Sequence, residues 1–90
     1  MISPSSKTLS VIIVNRNTSK LLLDCLRHIY ESDLDRRIEV IVVDNGSNDD
    51  SVAAVRTNFP QTIVIEANRN LGFAKANNLG YQNSTGDQIL

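Results

Sequence analysis

The sequence predicts an α/β domain built on a parallel sheet, with elements in the order β-α-β-α-β-α-β. Three observations carry this. The runs Leu9 to Val14 and Ile38 to Val43 are short, apolar and rich in β-branched residues, as strands buried on both faces are. Between them Leu22, Cys25, Leu26 and Ile29 recur at i, i+3, i+4 and i+7, the stripe of an amphipathic helix. The alternation continues along the chain, and such alternation specifies right-handed crossovers with helices covering the sheet.

Each element follows in turn. Met1 to Lys7 is polar, with Pro4 and three serines, and reads as a loose arm, so residues 1–8 are set apart from a domain over 9–90. Strand Leu9 to Val14 gives way to Asn15-Arg16-Asn17-Thr18-Ser19, where Thr18 or Ser19 can cap a helix running to about Ser32. Asp33, Asp35, Arg36 and Arg37 form a solvated connection. After strand Ile38 to Val43, the loop Asp44 to Asp50 ends in capping residues, with acids in the first turn of the next helix. Val52, Val55 and Phe59 mark that helix, and Pro60 stops it. Thr62 to Glu66 alternates as a third strand, and Asn68 to Gly72 is a loop. Phe73, Ala76, Leu79 and Gly80 mark one face of a third helix ending near Asn83. Gly86-Asp87 is a turn, and Gln88-Ile89-Leu90 opens a fourth strand.

Composition narrows the function. Ninety residues make one small domain with a thin core. Nine basic and ten acidic side chains nearly cancel, which argues against a nucleic-acid surface. Cys25 is the only cysteine, so no intrachain disulfide forms, and a reducing compartment fits. Its place on the apolar stripe predicts a buried, inert thiol. No stretch reads as a signal peptide or spans a bilayer, which makes the cytoplasm the default, or its membrane face for a longer parent. His28 is the only histidine and has no partner at ligand spacing, so no metal role is assigned to it.

Ligands of open parallel sheets bind beyond the carboxyl ends of the strands, so the loops after Val14 and Val43 come first. Asp44 stands at such an end, where a carboxylate can accept hydrogen bonds from a ribose hydroxyl or a base imide N–H. Arg16 and Asn17 leave the first strand at the same edge; Arg16 can pair with phosphate, stack on a base, or simply be solvated. Gly72 precedes a helix whose free N–H groups can face an anion, with Lys75 one turn in; a plain turn and a solvated lysine are the other reading. Neither Gly-x-Gly-x-x-Gly nor Gly-x-x-x-x-Gly-Lys-Ser/Thr is present, which disfavours a dinucleotide site and a P-loop. No nucleophile–base pair is visible.

Three segments, Ser10-Val-Ile-Ile-Val-Asn-Arg-Asn17, Val42-Val-Asp-Asn-Gly-Ser47 and Asn70-Leu-Gly-Phe-Ala-Lys-Ala-Asn-Asn-Leu-Gly80, resemble the opening of family-two glycosyltransferases, and most of all their rhamnosyltransferase-like branch. The resemblance covers residues 9 to 90. It implies a GT-A fold whose Rossmann-like half binds a nucleoside-diphosphate sugar. By position, Asn15, Arg16 and Asn17 after the first strand and Asp44 after the second then hold base and ribose; Asn45, Gly72 and Lys75 complete the candidate donor site from the reading of the residues, the charge at Lys75 standing where the family usually has small residues. Arg16 stands where the family often has an aromatic residue that stacks on the base. The resemblance places an Asp-x-Asp metal motif at the end of the fourth strand and the catalytic base later still. Both fall after Leu90, so no catalytic or metal-binding residue is assigned here, and Mg or Mn is expected only in the full-length parent. The resulting expectation is a truncated domain, inactive in sugar transfer. It would self-associate through the edge of strand Leu9 to Val14, with Val11, Ile12 and Ile13 open to water. The alternative is a small non-catalytic α/β module that binds a nucleotide or a protein.

Overall fold

The computed structural model describes residues 9–32, 38–86 and 88–89. The arm 1–8, the charged connection 33–37, Asp87 and Leu90 lie outside the described residues. The elements are β1 (Leu9–Asn15), α1 (Ser19–Glu31), β2 (Ile38–Asp44), α2 (Ser51–Asn58), β3 (Ile63–Glu66), α3 (Phe73–Gln82) and β4 (Gln88–Ile89). The expected order is therefore the observed one. The strands form a parallel sheet in the order β3-β2-β1-β4.

The central pair sets everything else. β1 and β2 match residue for residue, from Leu9 opposite Ile38 to Asn15 opposite Asp44. Side chains of a strand alternate between faces, and the core divides accordingly. Val11, Val40 and Val42 join Leu22 and Leu26 of α1 and Val55 of α2 on one face. Ile41, Val43 and Ala76 of α3 form the core of the other. Tyr30 and Phe59 stack beside the first cluster with centroids 5.6 Å apart, and the Tyr30 hydroxyl lies 2.6 Å from Oγ1 of Thr62. Burial raises the Tyr30 hydroxyl above the usual tyrosine range, against the opposing effect of that hydrogen bond.

α3 sits close on its face because of Gly80. A β-carbon there would stand 2.5 Å from Cγ2 of Ile12 and 3.1 Å from Cγ2 of Val43. The helix can reach the sheet only where that side chain is missing.

At the amino ends of the strands, a second device holds the return of the chain. Ser10, fully buried, donates its hydroxyl to Glu39 at 2.8 Å. The Glu39 carboxylate also accepts the Thr85 N–H at 2.9 Å and the Thr85 hydroxyl at 2.8 Å. The Gly86 N–H donates to Ser10 Oγ at 2.9 Å. The approach to β4 is thus fastened to both central strands.

Four expectations need correction. Cys25 is exposed, not buried. Of the α1 stripe only Leu22 and Leu26 are buried; Cys25 falls toward the outer edge of β1, where little of the sheet remains to cover it. Phe73 is 71% exposed, because the first residue of α3 lies a turn short of the buried Ala76. Val11 is buried beneath α1, while Ile12 and Ile13 are half-buried. Neither Thr18 nor Ser19 caps α1 with its side chain.

Two outcomes test this account. Gly80→Ala gains about 1 kcal/mol of helix propensity, yet the overlap with Ile12 and Val43 should leave a net loss of about 1–2 kcal/mol in urea unfolding. The Thr85 N–H, ahead of the Thr85 and Ser10 hydroxyls, holds Glu39 below the usual carboxylate range against the opposing effect of burial. A depressed carboxylate stabilises the fold above its unfolded-state value and stops doing so as pH falls through its folded-state value. The stability gap between the native chain and Glu39→Gln, followed by urea unfolding, should therefore be constant near neutrality and shrink on acidification below the ordinary glutamate range.

Candidate functional site

The in-register strands end in a polar row. Asn15, Asp44 and Glu66 occupy matched positions at the carboxyl ends of β1, β2 and β3. Asn15 is 2% exposed and Asp44 5% exposed, so both must find hydrogen-bond partners within the protein.

They find them in one another and in Ser47. Asp44 Oδ1 accepts the Ser47 hydroxyl at 2.7 Å and the Asn15 amide at 3.2 Å, and Oδ2 accepts the Ser47 N–H at 3.0 Å. Three of about four acceptor positions on the carboxylate are filled, which leaves one for a ligand. The Asn15 amide also reaches Ser47 Oγ at 3.3 Å, and its Oδ1 accepts the Thr18 hydroxyl at 2.6 Å. Asn15 is thus occupied by the protein; it positions the first loop against the second.

The loops themselves are laced together. Asn17, at φ 55°, donates its N–H to Ser47 Oγ at 2.9 Å and accepts the Asn48 N–H at 2.7 Å. Asp49 accepts the Ser19 N–H at 3.3 Å, capping α1 from another loop, and accepts the Ser51 N–H at 3.0 Å at the start of α2. The Ser51 hydroxyl, ahead of those N–H groups, holds Asp49 below the usual carboxylate range. Asn45 ties in the third loop: its amide donates to Asn70 Oδ1 at 3.0 Å, and its Oδ1 accepts the Leu71 N–H at 2.7 Å. Asn70 in turn accepts the Gly72 N–H at 2.9 Å, which fixes the entry to α3. Gly46, at φ +83°, permits this closeness, since a β-carbon there would lie 2.7 Å from the Arg69 carbonyl carbon.

The candidate residues therefore divide. Asn15, Asn17, Asp44 and Asn45 join one network, and Gly72 is attached to it through Asn70. Arg16 and Lys75 are exposed, and neither makes a salt bridge among the described residues. Beside the row opens a concavity of about 540 Å³, lined by Asp44, Ser47, Asp49, Arg56, Glu66 and Asn68 among others. Arg56 pairs with Glu66 at 3.1 Å on its far wall. A second hollow of about 570 Å³ lies between α1 and α2, but it contains no member of the polar row. Strand-end geometry thus favours the first. Asp49 fulfils the capping role expected at the end of its loop, whereas Ser47 and Asn70 stand out in the sequence only as members of the family motifs. Their signal was local: Asp44-x-x-Ser47, Asp49-x-Ser51 and Asn70-x-Gly72 are spacings at which a side-chain oxygen caps a nearby N–H.

A parallel sheet with its polar row and loops gathered at the carboxyl ends has the architecture of a Rossmann-like α/β half-domain. Over residues 10–90 the chain matches the family described as Glycosyl transferase family 2, and it belongs to that family. It is 32% identical over 87 residues to the glycosyltransferase GlyG of Streptococcus pneumoniae serotype 4. It is 35% identical over 91 residues to an undecaprenyl-phosphate 4-deoxy-4-formamido-L-arabinose transferase of Pseudomonas syringae. Each match takes in 93% of this chain but 29% and 27% of those proteins, so the chain spans under a third of their length. Among solved structures, it is similar to the mannosyltransferase PcManGT from Pyrobaculum calidifontis in complex with GDP-Man and Mn2+, with a TM-score of 0.82 and 29% identity. That likeness covers 96% of this chain and 27% of the other, and it bears out the GT-A architecture.

If Ser47 is the hub, its hydroxyl matters more than its exposure suggests. Ser47→Ala should cost about 1–3 kcal/mol of stability and speed amide exchange at Asn17, whose acceptor it removes. A loss of stability without faster exchange at Asn17 would show that the three contacts are not coupled.

Proposed function

We propose that this chain is the donor-binding front of an enzyme that transfers a sugar from a nucleoside diphosphate to a hydroxyl acceptor. The observation that carries the reading is the free acceptor position on Asp44, buried at the end of β2 beside an open concavity, in a chain of this family. Asp44 accepts a hydrogen bond from a ribose hydroxyl or a base imide N–H. Asn15 and Ser47 keep that carboxylate oriented, and Asn45 ties the second loop to the third. Arg16 and Lys75 supply positive charge toward the diphosphate, from the first loop and from the opening turn of α3.

The solved neighbour was captured with GDP-Man and Mn2+, which supports a nucleotide-sugar donor and a divalent metal for the whole enzyme. Among the described residues no three Asp, Glu, His or Cys side chains converge. The rhamnosyltransferase-like branch is proposed on the three sequence motifs alone. The proposed compartment is the cytoplasm; no helix among the described residues is long and apolar enough to cross a membrane.

Titration with UDP, dTDP and GDP, followed by amide chemical shifts, tests the reading. Base and ribose contacts without the metal should give a dissociation constant of roughly 1 mM, or about −4 kcal/mol. The shifts should centre on Arg16, Asn17 and residues 44–48. Asp44→Asn, which keeps the side-chain volume, should abolish most of the response. An unchanged response in that variant, or no saturable shift with any of the three nucleotides, would sink the assignment.

A further inference from the structure

Asp44 keeps one acceptor position, and Ser47 decides which one. Oδ1 accepts the Ser47 hydroxyl at 2.7 Å and the Asn15 amide at 3.2 Å, so both of its lone pairs are in use. Oδ2 accepts only the Ser47 N–H, at 3.0 Å, and has one lone pair left. The Ser47 hydroxyl is not at liberty to turn aside and free Oδ1. Its oxygen accepts the Asn17 N–H at 2.9 Å and the Asn15 amide at 3.3 Å, which leaves its single hydrogen for Asp44. Asp44 and Ser47 both stand on the wall of the concavity beside the polar row, whose lining comes from β2, α2, β3 and the loops after β2 and β3.

We propose that Ser47 sets the base specificity of this site, admitting the imide edge of uracil or thymine and selecting against guanine. The assignment rests on the reading of Asp44 as the contact to the donor's base, and it narrows the donor to a uridine or thymidine diphosphate sugar. The imide edge offers one N–H between two carbonyls, and the free position on Oδ2 satisfies that single donor. Guanine offers two neighbouring donors, N1–H and N2–H. A carboxylate answers both only with an acceptor free on each oxygen. Here the second donor would meet Oδ1 with the Ser47 hydroxyl already on it. One of the two would then be left unpaired in a site where Asp44 is 5% exposed. Buried polar groups discriminate between ligands for this reason.

Glu66, the next carboxylate of the row, is a poor substitute for the missing acceptor. It is exposed and pairs with Arg56 at 3.1 Å across the concavity, so water and a guanidinium already compete for its oxygens.

Amide chemical-shift titration of the chain with UDP, dTDP, GDP and N3-methyl-UDP decides the matter. UDP and dTDP should give saturable shifts over residues 44–48. GDP, with its extra donor, and N3-methyl-UDP, with none, should bind at least about tenfold more weakly than UDP. Ser47→Ala opens a position on Oδ1 and should bring GDP to within about threefold of UDP. The N3-methyl comparison needs no substitution and holds if that variant fails to fold. Equal affinity for UDP and N3-methyl-UDP would overturn the proposal, as would GDP binding the native chain as tightly as UDP. In either case nucleotide binding at Asp44 survives and only the base assignment falls. A folded Ser47→Ala chain that still rejects GDP as strongly would overturn the role given to Ser47. Absence of saturable shifts with every nucleotide would remove the donor-binding reading itself, and this proposal with it.

Discussion

A carboxylate taken almost wholly out of water must be met by donors, and the meeting of Asp44 with Asn15 and Ser47 is what the carboxyl end of this molecule depends on. It requires β1 and β2 to be in register, since a slip of one residue would turn either Asn15 or Asp44 to the other face. It requires Gly46, because only a glycine lets the second loop approach the backbone of the third. Once those conditions hold, the remaining polar side chains of the loops have little freedom. Each of Asn17, Asn45 and Asn70 bridges to a backbone group of its own or a neighbouring loop. No buried side-chain nitrogen or oxygen among the described residues is left without a partner.

This gives the site a division of labour. Asn15 and Asn45 are buried and bonded to the protein at both ends of their amides, Asn15 to Asp44, Ser47 and Thr18 and Asn45 to Asn70 and Leu71. Asp44 is buried and nearly filled. Arg16 and Lys75 are exposed. The arrangement separates a buried, hydrogen-bonded polar row from exposed cationic side chains on the loops beside it.

Most of the architecture was legible because the signals were long and consistent. β-branched runs, helical stripes and alternating order all pointed the same way, and the three motifs named the family. What misled was the assumption that an apolar stripe is covered along its whole width. Cys25 and Phe73 follow the helical period, yet one lies at an open sheet edge and the other a turn short of the sheet. Helix capping was misassigned for a related reason. Thr18 bonds to Asn15, and the α1 N–H goes to Asp49, thirty residues away; a contact between loops leaves no mark on local sequence. The polar row was visible only in part, because Glu66 joins it through the register of β3 with β2.

The cluster of Ser10, Glu39, Thr85 and Gly86 lies at the opposite end of the sheet from the loops just described, and it has a kinetic side. Its contacts link residues 29, 46 and 76 positions apart. Closing a chain loop costs entropy that grows with its length, so such contacts become favourable only after nearer ones have formed. By that rule the β1–β2 contact, 29 positions apart, costs less to close than the clamp on the approach to β4, whose partners lie 46 and 76 positions apart.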